Sequence, residues 1–454
     1  MPETITVRAL PQVASTGLCI GCGFCTLSLE AGRDHPPVRI VYDPQRDSFT
    51  PQLETTDDDV LDREVLCPGA DMDLAGLTRS KFGALATDVM TGHIVSVSAC
   101  HAGDEKLRAA SASGGAIPAL LTQLFSDGAI DTAYVVNPGN HVYDAHGALI
   151  TEATSLGQCH GSVYHPVDFG RHLRTLIDST ARFAFVGLPC EIAALEQLKL
   201  KRPDVAARHV ASIGLFCGGI NAFQGVAYYL RGFGIEWPNI RSVRYRVGPW
   251  PGRIEVTDDK GVSHRIPRIQ GNSRWRILRY VVAFQGYWML PRCRMCPDQI
   301  ADLADVAVGD PHLPRFRKGE SSGHSVLLVR TARGQRLVDD AAAHGRLARS
   351  PLTRDELVAS QGYTLDNRRH VSAYLDVAAK LGLARPRLGI DPQTVSSVRM
   401  RHFVYAWVDM LKIRVVGVRG LRWMYLVLQA FEYLFITFTP MLVARRLINL
   451  LKNR

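Results

Sequence analysis

The feature that most constrains this 454-residue chain is a triplet of cysteines at two-residue separations, Cys19-Ile-Gly-Cys22-Gly-Phe-Cys25. A fourth follows downstream in Cys67-Pro68-Gly69. Three thiolates this close can face one centre only where the backbone turns tightly. Gly21 and Gly23 supply that freedom, because glycine takes positive φ without a steric penalty. Their amides can also aim at sulfur and help set a reduction potential. Zinc sites usually present separated Cys-x-x-Cys pairs rather than a triplet. Disulfides need an oxidising compartment, and no secretory signal precedes the triplet. The pattern therefore reads as Cys19, Cys22, Cys25 and Cys67 gripping one 4Fe-4S cluster.

The triplet followed by Cys-Pro resembles bacterial ferredoxin segments, in which the fourth cysteine comes close behind and serves a second cluster. Here the Cys-Pro is far downstream, which makes Cys67 the fourth ligand of the same cluster. The intervening Val38-Arg-Ile-Val-Tyr42 and Phe49 read as a small hairpin inserted in the loop.

A second candidate set combines the pair Cys293-Arg-Met-Cys296 with Cys190 and Cys217. Cys190 ends Phe183-Ala-Phe-Val-Gly-Leu-Pro-Cys190, a strand turning into a helix over Glu191 to Leu200. Cys217 ends the strand Ile213-Gly-Leu-Phe-Cys217 at a glycine turn. Both stand at the carboxyl ends of predicted strands, where α/β sheets gather ligands. The residues alone leave two readings of Cys190 and Cys217 level, ligands or buried strand thiols. Cys100 and Cys159 are left over as core thiols.

In this order, Gly-Leu-Pro-Cys190, Leu-Phe-Cys217-Gly-Gly, Cys293-x-x-Cys296-x-Asp298 and Ala304-Asp-Val-Ala-Val-Gly-Asp310 resemble the beta-subunit family of coenzyme F-420 hydrogenases and dehydrogenases. Relatives of that family include ferredoxin-dependent chlorophyll-pathway reductases. Ser111-Ala-Ser113-Gly114-Gly115 resembles the family's Ser-Gly-Gly segment. Gly161-Ser162-Val163-Tyr164 resembles its Gly-Ser-Lys-Tyr segment, with valine in place of lysine. The resemblance covers roughly residues 15 to 345. It implies that Cys190, Cys217, Cys293 and Cys296 hold a second 4Fe-4S cluster. It also implies an FAD-containing iron–sulfur oxidoreductase, with Ser113, Gly114, Gly115, Asn137, Ser162 and Tyr164 as cofactor-binding residues.

The residues add limited support for a flavin. Ser113-Gly114-Gly115 opens a predicted helix whose amino end lets backbone amides approach an anion. No Gly-x-Gly-x-x-Gly fingerprint follows an early strand. A flavin would suit the chemistry, because clusters move electrons singly whereas most organic reductions need two. His101, His160, His165, Asp310 and His312 are proton-donor candidates by residue type alone, and no catalytic acid is assigned.

Alternating strands and helices predict an α/β (α+β) fold with a mixed sheet. The chain divides into an N-terminal ferredoxin-like cluster module (1–80), a segment carrying the Ser-Gly-Gly turn (81–180) and a segment carrying the second set (181–350). A helical linker (351–395) and a tail (396–454) follow. The formal net charge of +10 points to an acidic partner, namely an acidic ferredoxin-like donor, an anionic membrane surface or a carboxylated small-molecule acceptor. No nucleic-acid-binding motif accompanies the charge. Reduced thiols and labile clusters place the chain in the cytoplasm.

In the tail, Arg399, Arg401, Arg414, Arg419 and Arg422 alternate with Trp407, Trp423, Tyr425, Phe431 and Tyr433. Three readings stand: an amphipathic helix in the inner membrane interface, a helical pair covering the core or a second copy of the chain (a homo-oligomer), and a span over Leu421 to Val443. The functional expectation is electron passage between a ferredoxin-like donor, two clusters, FAD and an organic acceptor. The alternative is an electron-transfer subunit with no substrate of its own.

Overall fold

The computed structural model describes residues 10–54, 66–159, 161–267, 280, 282–316, 322–391 and 398–417, with scattered positions up to Leu428. Strands β1 (Val38–Asp43) and β2 (Ser48–Leu53) form the antiparallel hairpin expected between Cys25 and Cys67. Tyr42 and Phe49 pair across it, ring centroids 6.1 Å apart, in the edge-to-face geometry aromatic pairs favour.

After β3 (Asp71–Met72) come β4 (Ser96–Ala102), β5 (Thr132–Asn137), β6 (His146–Ile150), β7 (Phe183–Gly187) and β8 (His209–Leu215). β9 (Ile240–Val247), β10 (Arg253–Asp258) and β11 (Ser263–Pro267) form a separate antiparallel sheet. β12 (Val306–Gly309), β13 (Ser325–Val329), β14 (Leu347–Pro351) and β15 (Arg387–Leu388) complete the set, and β15 pairs with β3.

The main sheet has eight strands in the order β14-β4-β13-β12-β8-β7-β5-β6. Its centre, β12-β8-β7-β5, is parallel, and the remaining pairings are antiparallel. The fold is therefore α/β with a mixed sheet, as the alternation predicted. The sheet draws strands from both sides of residue 180.

β7 and β13 are buried along their whole length, the continuous apolar pattern of strands covered on both faces. Period-two alternation sends Phe183 and Phe185 to one face, against Leu173, Ile177, Ile192 and Leu195. Ala184 and Val186 go to the other, against Leu120, Leu124 and Val338.

Two buried carboxylates brace the segment entering β12. Asp302 accepts from Arg368 at 3.0 Å and lies 3.1 Å from Arg330 Nη2. Asp305 accepts from both Arg333 Nη2 and Thr331 and faces Lys81 at 3.8 Å. Ser325–Val329 is followed by a helix, Ala332–Ala343.

Within 351–395, the helices Arg354–Ser360 and Gly362–Lys380 form, and the short strand β15 follows. The tail begins with the helix Met400–Gly417, whose His402, Ala406 and Met410 are buried; Ala406 and Met410 pack with Ala373, Tyr374 and Val377. Its opposite face exposes Met400, Val404, Tyr405, Trp407 and Leu411. Among the described residues, no helix is long and apolar enough to cross a membrane. Apart from single positions such as Trp423 and Val427, the Leu421–Val443 stretch lies outside the described residues, as does His160.

Candidate functional site

β4, β5, β7, β8 and β12 all end at the same edge of the sheet, as their register requires. That edge collects the predicted site residues. β7 runs into Pro189-Cys190 at the start of the helix Pro189–Lys201. β8 runs into Cys217, whose amide donates to the Gln299 carbonyl at 2.9 Å. The short helix Pro291–Arg294 carries Cys293, with Cys296 just beyond it. Cys190, Cys217, Cys293 and Cys296 line one pocket with Ile20, Arg292, Asp298, Tyr374 and Asp409. The structure thus brings the second set together from three separate segments.

Local backbone amides point at this sulfur array. Gly219 N lies 3.4 Å from Cys217 Sγ and Ile220 N lies 3.3 Å from Cys293 Sγ. In the first set, Gly21 N lies 3.4 Å from Cys19 Sγ. Gly21 and Gly23 adopt φ of 72° and 76°. A Cβ on Gly23 would stand 2.3 Å from the Gly170 Cα, so this glycine also allows the cysteine loop to press against the chain after β6.

Burial raises the thiol pKa values throughout both sets. Cys22 and Cys25 are pushed up by burial, then by the neighbouring sulfurs, above all Cys67. Cys19 reaches about 12, and Cys293 about 11, for the same first cause. Cys190 is pushed well up by burial, with Glu191, Cys296, Cys217 and Cys293 adding to it. Four converging buried thiolates need compensating positive charge, which iron in a cluster supplies. All ten cysteines are free thiols.

Both donor sets fit 4Fe-4S clusters in residue type and number.

The flavin candidates divide. The Ser113-Gly114-Gly115 turn sits where β4 and β13 meet. Ser113 Oγ donates to the His324 carbonyl and Gly114 N to Ser325 Oγ at 3.1 Å. A Cβ on Gly114 would stand 2.6 Å from the Cys100 carbonyl oxygen, so close backbone packing already requires glycine there. Asn137 Oδ1 accepts from Gly139 N at 2.8 Å, closing its own turn. Ser162 bridges to Tyr245, and Tyr164 packs edge-to-face on Tyr245 at 5.0 Å.

Sequence reasoning missed the neighbours of these residues. Arg246 holds Asp310 through two hydrogen bonds of 2.7 and 3.0 Å, and its Nε has no protein acceptor among the described residues. The buried Trp250 Nε1, on the loop that meets Gly323 beside Ser113, also has none. Two buried N–H donors without a protein acceptor suit a ligand rich in carbonyl or phosphate oxygen. No local sequence pattern marks them, because they come from the β9–β10 excursion.

Arg292 and Arg294 were legible only as flanks of the cysteine pair. Arg294 donates to Asp409 at 2.6 Å, which ties the tail helix over the second cysteine pocket. Cys100 is fully buried in β4, consistent with a core thiol. Asp366, His370 and His402 bring possible ligand atoms within 4.8 Å. Arg401 Nε lies 3.1 Å from His402 Nε2, and its Nη2 lies 3.7 Å from Asp366, so a guanidinium already fills the place of a cation.

Two family models match the chain, both describing the beta subunit of coenzyme F420 hydrogenase/dehydrogenase. The model of its N-terminal part matches residues 97–174, and the model of its C-terminal part matches residues 180–355. Together they span more than half of the chain. The chain belongs to this family. Among its relatives, the F(420)H(2) dehydrogenase F subunit of Methanosarcina mazei is 24% identical over 62% of this chain and 74% of that protein. The beta subunit of coenzyme F420 hydrogenase from Methanosarcina barkeri is 20% identical over 58% of this chain and 84% of that protein. The coenzyme F420-dependent sulfite reductase of Methanocaldococcus jannaschii is 26% identical over 49% of this chain, but the match spans only 34% of that protein. A chain of the F420-reducing [NiFe] hydrogenase complex from Methanosarcina barkeri superposes with a TM-score of 0.49 at 18% identity, over 62% of this chain and 92% of that one. The family matches end before the tail.

Proposed function

We propose that this family member is an iron–sulfur flavoprotein oxidoreductase that carries electrons between a ferredoxin-like donor and a small organic acceptor. The observation that carries the reading is the gathering of Cys190, Cys217, Cys293 and Cys296 around one pocket, with Ile20 from the first cysteine loop lining it too. Bound clusters supply one-electron transfer, and a bound FAD supplies hydride transfer. The chain's residues do the rest. Gly21, Gly219 and Ile220 aim amides at the sulfurs. Arg246 Nε and Trp250 Nε1 offer buried donors, the second on the loop that meets Gly323 beside Ser113. The Gly362–Lys380 and Met400–Gly417 helices supply Tyr374 and Asp409 as the outer wall of the second pocket.

Protein purified without oxygen is expected to carry about eight iron and eight acid-labile sulfide per chain, with one FAD. Metal, sulfide and flavin analysis checks this. Zinc in place of iron, or no sulfide, would refute the redox reading.

A second reading, in which the chain serves a larger complex and has no substrate of its own, is favoured by relatives that are named as subunits. Such a protein would reduce dyes alone but turn over a native acceptor only with its partners. The coenzyme F420 named in those relatives is the first acceptor to assay.

The tail is proposed to hold the protein on an anionic membrane face, in a reducing compartment. From Val404 to Leu411 the exposed residues of its first helix are all apolar or aromatic, preceded by Arg399 and Arg401. Apolar area flanked by cations suits the headgroup boundary. Co-sedimentation with phosphatidylglycerol vesicles should be lost in Trp407→Glu combined with Leu411→Glu, with iron content unchanged. Equal binding of that variant and the wild type would reject this face as the contact.

A further inference from the structure

Arg292 is the one large cation placed between the two cysteine sets with no carboxylate in hydrogen-bond contact among the described residues. Its side chain is among the largest that are wholly buried, with the residue only 1% exposed. Nε donates to the Pro68 carbonyl at 3.0 Å, the residue next to Cys67 of the first set. Nη1 donates to the Met295 carbonyl at 3.2 Å, the residue next to Cys296 of the second. Nη2 faces the Met72 sulfur at 3.9 Å. The residue itself precedes Cys293 and lines the second pocket. One guanidinium therefore clamps both cysteine loops by neutral carbonyls while its charge stays unneutralised by any of these partners.

Burying a guanidinium without a carboxylate is costly. The other deeply buried arginines of the fold, Arg330, Arg368 and Arg246, each meet an aspartate. Arg292 breaks that habit beside eight thiols.

Building on the two-cluster reading above, we infer that Arg292 is a shared positioning residue whose buried charge sets the reduction potentials of both clusters. Each cluster gains one negative charge on reduction, so a fixed cation nearby stabilises the reduced form and raises its potential. A single charge between two acceptors also offsets the repulsion that an electron on one exerts on an electron entering the other. In the transfer itself, one electron leaves one cluster, which is oxidised, and enters the other, which is reduced. No bond or proton changes hands at Arg292.

The test is a potentiometric titration of the anaerobic holoprotein followed by electron paramagnetic resonance, comparing wild type with Arg292→Met, Arg292→Gln and Arg292→Lys. Both midpoints should fall in the two neutral variants by at least tenfold in the electron-binding constant, about 59 mV for one electron. Arg292→Lys should recover most of the shift, because it keeps the charge while losing the fork. Glutamine keeps a donor for one carbonyl, so it serves if the methionine variant does not fold. Unmoved potentials in a neutral variant with full iron overturn the inference. A shift at one cluster alone overturns the shared role. Loss of a cluster from both neutral variants would make Arg292 a structural clamp and overturn it too. A wild type without iron and sulfide instead defeats the underlying reading, which is a distinct outcome.

Discussion

Replacing Cys22 by alanine is expected to remove about half of the iron and acid-labile sulfide while leaving the second cluster and the flavin in place. Cys22 is 6% exposed and packs in the core with Phe24 and Leu27. Its thiol is raised by burial, then by Cys67, Cys25 and Cys19. Alanine keeps the loop's packing nearly intact but leaves three ligands for four corners. The second quartet stands on other segments, after β7, after β8 and around the helix Pro291–Arg294. What joins the sets is Ile20 and the bond from Arg292 to the Pro68 carbonyl, neither of which needs the Cys22 sulfur. Iron and sulfide counted per flavin, with the resonance signal of the reduced protein, check the outcome. Loss of all iron together with the flavin would contradict the separateness of the two sites.

The largest stability effect is expected from Asp302→Ala. Asp302 meets Arg330 and Arg368, whose side chains are 0% and 6% exposed. Removing the carboxylate takes the shared ion-pair partner from two buried guanidinium groups and leaves only Asp298 acting on both, a loss of about 3–5 kcal/mol. Denaturant unfolding of the two proteins measures it, and a change below about 1 kcal/mol would mean the guanidiniums find water instead.

The same carboxylates each contribute a pH dependence of definite sign. Burial pushes the Asp302 carboxyl up, but Arg368 and Arg330 prevail and hold it below the usual range. Burial likewise opposes Asp305, where Lys81, Arg333 and His209 prevail. Both groups are depressed in the folded state. Their stabilisation is therefore complete above the unfolded carboxyl value of about 3.9 and is lost as pH falls through the folded values. Acid unfolding should lose part of its pH dependence in Asp302→Ala.

Much of the fold was readable because it follows local rules. Phe183–Gly187 and Ser325–Val329 read as continuous apolar runs, and both became buried strands. The hairpin before Cys67 was legible from its alternation and aromatic residues. The first cysteine set was legible because three of its thiols sit in one turn. The second was only partly so, since Cys190 and Cys217 look like ordinary strand thiols until the parallel register of β7 and β8 sets them side by side.

The contacts of Arg292, the partnerless donors of Arg246 and Trp250, and the closure of the tail over Asp409 had no sequence signature. Each depends on residues far apart in the chain. A turn of glycines, a period of two and a spacing of three act over a few residues, so the amino-acid order alone determined the strands, the triplet loop and the family motifs. Which thiols face a common pocket, and which cation lies buried between them, is decided by strand register and side-chain packing, and those exist only once the sheet has closed.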